Sequence, residues 1–269
     1  MNIEDKLVVV TGAGSGIGRS LAQSFSDHGA RRVVCTDLNA DSAVEIAALI
    51  GEKATGEGLD VTDEAAIESL VQRLELDQGG VDIFVSNAGY ALAGGLNLPT
   101  EKWRQMMEVH TWAHLTAARA VIPGMIERGG GYLLCTASAA GLLTQIDSAP
   151  YAVSKHAAVA LAEWLAINYK DRGIGVSVLC PQAVRTNILG KSGSKDGKQQ
   201  SNSNQAAQDG ILEPESVAED CIAAIIEERF LVLPHKEVAK YFANKASDYE
   251  RWLKGMRRFR ERLRQSSKH

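Results

Sequence analysis

Short, continuous apolar runs alternate along this chain with longer stretches of helical spacing. Residues 7–10, 32–35, 83–85, 132–135 and 176–179 are mostly apolar, without sustained alternation with polar positions, the pattern of strands covered on both faces. Between them, residues 18–28, 42–50, 64–76, 102–128 and 151–171 read as helices. Strand alternating with helix implies right-handed crossovers and an α/β fold, a single-domain Rossmann-like doubly wound parallel sheet. A late apolar run at 230–234 adds one more strand, and residues 1–235 read as one unit.

Two segments depart from this rhythm. Residues 191–208 are rich in Gly, Ser, Lys, Asn and Gln, too polar to pack, and mark a mobile loop within about 187–213. Residues 236–269 read as a helical extension of the same domain. In it Phe242, Ala246, Tyr249, Leu253, Met256 and Leu263 share one face, while Arg251, Lys254, Arg257, Arg258, Arg260, Arg262 and Arg264 crowd the rest. Such a helix can dock on the body or a neighbouring subunit, lie on an anionic membrane surface, or meet a phosphorylated substrate. Docking is the reading preferred here.

Composition narrows the partners. The net charge of -4 over 269 residues gives no global reason to bind nucleic acid. No apolar run approaches the ~20 residues that cross a bilayer, and residues 1–6 lack a secretory start, so a cytoplasmic location is the expectation. Cys35, Cys135, Cys180 and Cys221 form no CxxC pair and no metal-type spacing with His; they read as reduced, packed thiols, with no metal site.

The chemistry begins after the first strand. Thr11-Gly12-Ala13-Gly14-Ser15-Gly16-Ile17-Gly18 joins that strand to the first helix. Glycines there permit a tight turn and close approach to a pyrophosphate, and the helix N-terminus offers N–H groups to the phosphates. Asp37 ends the second strand, nineteen residues past Gly18, near the ~20 expected of a ribose-binding acid. Its carboxylate would accept the adenosine ribose hydroxyls and repel a 2′-phosphate, which favours NAD over NADP. Tyr151 and Lys155 are four apart at a helix start, hence on one face. An ammonium near a phenol favours the phenolate, bringing proton exchange within reach at neutral pH.

With these pieces in order, the chain resembles the short-chain dehydrogenase/reductase family from about residue 5 to 234. The matching elements are the glycine string, Asp60-Val61, Asn87-Ala88-Gly89, Ser138, Tyr151-x-x-x-Lys155 and Pro181 with Thr186. The resemblance implies an NAD-dependent oxidoreductase moving hydride between nicotinamide and a secondary alcohol or ketone. By the same resemblance Gly12, Ser15, Gly16, Ile17, Gly18, Asp37, Asp60, Val61, Asn87, Ala88, Gly89, Pro181 and Thr186 surround the cofactor. Ser138 binds the substrate oxygen, Tyr151 is the acid/base, and Lys155 binds the nicotinamide ribose and tunes Tyr151. A homodimer or homotetramer built on the two long helices is implied as well.

The sequence departs from that pattern in two places. His110 stands where the family usually has an Asn that holds a water linked to the lysine. It either keeps a proton relay, and so is grouped with the catalytic residues, or only fills space. Gln182 follows Pro181 where the family has Gly, and reads either as a substrate contact or as a solvent-facing loop residue. Tyr90, Gln145, Gln182, Val184 and Leu189 are the candidate substrate positions; their mostly apolar neighbourhood points to a lipophilic substrate of steroid, terpenoid or acyl type. Two alternatives stand beside the dehydrogenase: an NAD-binding sensor without turnover, and a related epimerase or dehydratase.

Overall fold

Alternate residues of the first strand, β1 (Leu7–Thr11), enter two different cores: Leu7 and Val9 join one cluster, Val8 and Val10 the other. A strand with both faces buried has no room for alternating polarity, which is why the run reads as continuous aliphatic sequence. The computed structural model describes residues 1–186 and 205–266. β2 (Arg32–Asp37), β3 (Ala54–Gly58), β4 (Ile83–Ser86), β5 (Gly131–Thr136), β6 (Ile174–Leu179) and β7 (Leu231–Val232) complete a parallel sheet of order β3-β2-β1-β4-β5-β6-β7.

The first core cluster lies under α3 (Glu64–Gln78), α5 (Ala113–Glu127) and α7 (Ala149–Tyr169), through residues such as Leu70, Val121 and Ala162. The second lies under α1 (Gly16–Asp27), α2 (Ala40–Ile50) and a helix at Pro214–Ile226, through Phe25, Ile46 and Ile222. Asn39 and Asp63 start α2 and α3 by accepting hydrogen bonds from first-turn N–H groups, the usual work of Asn and Asp at an N-cap. The strand order reverses between β1 and β4, so the crevice for a ligand opens at the carboxyl ends of these strands.

β3 was not among the expected strands. Its sequence, Ala-Thr-Gly-Glu-Gly, carries no apolar run because α2 crosses it closely: a Cβ on Gly56 would meet the Ala43 carbonyl oxygen at 2.3 Å. The single helix expected at 102–128 is α4 (Thr100–Met107), a π-turn (Glu108–Trp112) and α5. A π-turn keeps the run helical in composition, so nothing in the sequence marks it, and such turns concentrate at functional sites. A short α6 (Ala140–Leu143) precedes α7, and the helix at Pro214–Ile226 is α8.

The tail also differs from one continuous helix. It is α9 (Glu237–Ser247) and α10 (Tyr249–Ser266), broken at Asp248, whose Oδ1 accepts the Arg251 N–H at 2.9 Å and restarts the helix. The break divides the expected face. Leu263 is buried and Trp252 packs against the first core, while Phe242, Tyr249 and Leu253 stay exposed. Lys245 Nζ donates to the Leu142 carbonyl at 2.6 Å, tying α9 to α6. No helix among the described residues is long and apolar enough to cross a membrane.

Candidate active site

Strands β1, β4 and β5 end at a common crevice, and Asn87 stitches them together there. Its Nδ2 donates to the Thr11 carbonyl at 3.0 Å, and its Oδ1 accepts from Thr136 Oγ1 at 3.1 Å. The N–H groups of Asn87 and Ala88 donate to Thr11 Oγ1 at 2.9 and 3.1 Å. Gly89 and Tyr90 follow directly, so the loop after β4 leaves from a fixed point.

The glycine loop lies beside this knot. Ser15 occupies the N-cap of α1 without a side-chain hydrogen bond to the first turn, so the N–H groups of Gly16, Ile17 and Gly18 meet no capping oxygen from it. That arrangement suits an anionic ligand. Asp37 reaches over the loop: Oδ2 accepts the Gly14 N–H at 3.0 Å and Oδ1 the Asn39 N–H at 2.9 Å. Arg31 and Arg32, on the same strand approach, point away and donate to the Gln78 and Glu52 carbonyls. Thr186 sits close enough for its Cγ2 to meet a Cβ built on Gly16 at 2.8 Å. Asp60 folds its carboxylate onto Thr62, at 2.9 Å from the N–H and 2.7 Å from Oγ1, and Val61 turns inward to line a small cavity with Thr11, Ser86, Ala88, Val109 and His114. These residues form a cradle with the donor set a dinucleotide needs.

Ser138 and Tyr151 face one another at the mouth of the crevice, close enough for the Ser138 hydroxyl to act on the Tyr151 phenol. The Ser138 oxygen also accepts the Ala140 N–H at 3.1 Å and its hydroxyl points to the Pro181 carbonyl at 3.4 Å, which fixes the side chain from two sides. Lys155 lies one turn below Tyr151, its Nζ 5.8 Å from the phenol ring centroid and donating to the Thr136 carbonyl at 2.8 Å. Burial pulls Lys155 down to about 8. Burial also raises the Tyr151 phenol, with the Ser138 hydrogen bond acting against it and the Cys180 thiol adding to it. Desolvation of the phenol, and not the expected lowering by Lys155, therefore sets the direction of the Tyr151 shift.

His110 is fully buried, 0% exposed, inside the π-turn. Nε2 accepts the Tyr90 N–H at 3.2 Å and Nδ1 faces Ser154 Oγ at 3.0 Å. Both ring nitrogens are therefore engaged by protein. The water-holding role expected of its side chain does not fit this geometry, because neither nitrogen has a lone pair or proton left to offer a water. Ser154 was not among the expected site residues; its one signal in the sequence is a polar residue three positions after Tyr151, on the same helix face.

The substrate side holds two corrections. Val184 is 4% exposed, belongs to the second core cluster and bridges to Leu212, so it has no surface to offer a substrate. The Gln182 amide donates to Asp209 Oδ2 at 2.7 Å, and Tyr241 of α9 donates to Asp209 Oδ1 at 2.9 Å; the side chain serves a tie between the β6 loop and the tail. Gln145 is half-buried in a turn held by Gln205, which accepts from the Ile146 N–H at 2.8 Å and donates to the Thr144 carbonyl at 3.0 Å. Tyr90 rests against His110 with ring centroids 5.7 Å apart. Leu189 and most of the expected loop at 187–213 lie outside the described residues.

The four cysteines are free and buried, and burial raises every thiol, Cys35, Cys135 and Cys180 to about 12. His114 is buried with neither ring nitrogen hydrogen-bonded. Burial, and then the Lys155 charge, lower it to about 3. An unfolded histidine titrates near ~6.5, so between those values the unfolded chain takes up a proton that the folded chain refuses. Stability from this group is full above pH 6.5 and is lost as pH falls. His114→Leu is accordingly expected to gain about 2 kcal/mol on the wild type between pH 7 and pH 5, measured by urea unfolding at both pH values. Parallel pH dependence in the two proteins would refute this.

The short chain dehydrogenase family model matches residues 6–197. A 1-deoxy-11-beta-hydroxypentalenate dehydrogenase from Streptomyces exfoliatus is 39% identical over 197 residues, covering 70% of this chain and 71% of that protein. The 3-oxoacyl-[acyl-carrier-protein] reductase FabG of Escherichia coli (strain K12) is 32% identical over 189 residues, covering 70% and 77%. Among solved structures, a short chain dehydrogenase/reductase from Burkholderia phymatum in complex with NAD superposes with a TM-score of 0.82 at 27% identity, covering 93% of this chain and 96% of that one.

Proposed function

The chain belongs to the short chain dehydrogenase family, and from that premise we propose that it is an NAD-dependent dehydrogenase or reductase of a lipophilic secondary alcohol or ketone. The observation that carries the reading is the Ser138–Tyr151 hydroxyl pair with Lys155 buried one turn below, at the end of a crevice whose first helix starts uncapped. A bound nicotinamide would supply the hydride acceptor or donor.

The chain's own residues do the rest. The Gly12–Gly18 turn and the first N–H groups of α1 hold the pyrophosphate. Asp37 takes the adenosine ribose hydroxyls, and Val61 and Ala88 border the adenine. In the oxidative direction Tyr151 Oη removes the proton of the substrate hydroxyl; in the reductive direction it returns it. Ser138 Oγ holds the substrate oxygen where charge develops, a contribution that removal of one such donor typically shows to be roughly 10²-fold or more. Lys155, anchored by the Thr136 carbonyl, presents a cation to the ribose and to the phenolate when it forms.

NAD rather than NADP is supported by the Asp37 carboxylate at the loop and by the two arginines committed elsewhere. A lipophilic substrate is supported by the likeness to the 1-deoxy-11-beta-hydroxypentalenate dehydrogenase of Streptomyces exfoliatus, 39% identical over 197 residues. A homo-oligomer through α7 is supported by its exposed Val153, Trp164 and Ile167, a concentration of apolar surface that marks an interface.

The test is a panel of secondary alcohols and ketones, followed at the reduced-nicotinamide absorbance with NAD and NADP in parallel. Turnover of hydrophobic members with NAD is expected, with little turnover with NADP. Asp37→Ser should narrow that preference by about 10-fold or more, since one removed charge repulsion of ~1.4 kcal/mol is a factor of ten. Turnover confined to small sugars, or a wild-type preference for NADP, would overturn the substrate or the cofactor assignment respectively.

A further inference from the structure

The side chain that departs most from the family pattern sits at the centre of a closed hydrogen-bond chain. Tyr90 N–H donates to His110 Nε2, at 3.2 Å. A nitrogen that accepts an N–H carries no proton, so the ring proton is on Nδ1. That nitrogen faces Ser154 Oγ at 3.0 Å, and the Ser154 hydroxyl in turn donates to the Tyr151 carbonyl at 3.0 Å. Every donor in the series has one acceptor, and the direction is the same throughout. The next residue adds a second stitch, with Thr111 Oγ1 donating to the Ser154 carbonyl at 3.1 Å.

We propose that His110, as the Nδ1-protonated neutral imidazole, is a positioning residue that ties the first turns of α7 to the loop after β4 through Ser154, and that it transfers no proton. The proposal rests on the reading of Tyr151 as the acid/base. Its effect is to fix the backbone from which the Tyr151 phenol projects, and the Tyr90 loop opposite, against one rigid ring. The Tyr151 ring meets the imidazole edge-on with centroids 5.4 Å apart, so sideways movement of the phenol is blocked as well. The imidazole fits because residue 89 is glycine: a Cβ there would lie 3.1 Å from Nε2. The π-turn brings His110 and Thr111 together against Ser154.

A relay would require Nε2 to be protonated at some stage. That would turn its N–H against the Tyr90 N–H, in a site with no water-exposed surface on the ring. The charged group facing it is Lys155, with the neutral His114 on the same helical run; burial first, and then the Lys155 charge, hold His110 well below the usual histidine range. The phenols of Tyr90 and Tyr151 are the other titratable neighbours.

The two halves of the brace can be separated. An Asn amide occupies the place of Nδ1 and keeps a donor to Ser154 while losing the acceptor for Tyr90. A Gln amide reaches the place of Nε2 and keeps the Tyr90 bond while losing Ser154. His110→Gln and Ser154→Ala are expected to lower kcat between about 10-fold and 100-fold with little change in KM, as a misplaced reacting group does. His110→Asn is expected to act mainly on KM, through Tyr90. In all three the limbs of the kcat pH profile should stay where they are in the wild type. Independently of turnover, long-range ¹H–¹⁵N spectra of the wild type should show His110 as the Nδ1–H tautomer from pH 8 to pH 5.5. A shifted pH limb, an Nε2–H tautomer, or wild-type constants in both His110→Gln and Ser154→Ala would overturn the proposal. Absence of nicotinamide-dependent turnover in the wild type would instead remove the functional reading, and the spectra would still decide the brace. Melting curves of each variant separate a kinetic effect from misfolding.

Discussion

Tyr151→Phe is expected to lower kcat by roughly 10³-fold, the middle of the range for removing a positioned acid/base, while nicotinamide binding stays unchanged. Only the hydroxyl is lost; the ring keeps its edge contact with His110 and its place above Lys155. Ser138 stays held by the Ala140 N–H and the Pro181 carbonyl. The phenol starts from a raised position, because burial outweighs the help of Ser138. Oxidation should therefore gain rate with rising pH, as the proton-accepting form is the charged one. Lys155 works in the opposite sense, losing its own charge near pH 8, so the profile should bend where that cation disappears. Stopped-time assays in both directions, with binding followed by reduced-nicotinamide fluorescence, check the two halves separately. A variant with wild-type turnover would end the assignment of Tyr151.

Gly18→Ala is expected to damage both folding and cofactor binding. A methyl at this position would lie 2.1 Å from the Gly12 carbonyl oxygen and 2.5 Å from Asn87 Nδ2. Neither neighbour can yield cheaply: one is backbone, and the other holds three strands together. Overpacking of this kind costs about 3 kcal/mol where backbone must move, which corresponds to a Tm lowered by roughly 6–12 °C in a domain of this size. Moving α1 away from β1 also moves the N–H groups that meet the pyrophosphate, so affinity should fall by at least about tenfold. Gly56→Ala is the control. Its methyl would strike the Ala43 carbonyl oxygen at 2.3 Å, at the far side of β2 from the crevice, and should lower Tm without weakening the dinucleotide. Equal affinity in Gly18→Ala and wild type, measured where both are folded, would show that the loop does not hold the cofactor this way.

The architecture was legible because a doubly covered strand is apolar over most of its length, and β1, β2, β4, β5 and β6 each carry such a run. β3 and α8 were not. At β3 a glycine is required by the close passage of α2, and the strand lies at the sheet edge, so its residues carry no hydrophobic signal. The site divides in the same manner. Tyr151 and Lys155 could be read from their spacing on one helix, and Ser138 only through the resemblance to the family. Val184 and Gln182 could not be placed, since a residue after β6 can face the core, a neighbouring loop or the crevice, and sequence neighbours do not choose among them.

Local chemistry by itself determined the strand–helix alternation, the glycine turn into α1, the acid at the end of β2 and the tyrosine–lysine pair, because each depends on residues within one turn or one strand. Contacts between distant segments decided the rest. Only packing commits both nitrogens of His110, turns the Gln182 amide to Asp209, and buries Tyr151 so that desolvation sets the direction of its shift. The physical reason is common to all three: a hydrogen-bond partner, or the loss of water, is supplied by elements tens of residues away, and no local pattern records which element will arrive.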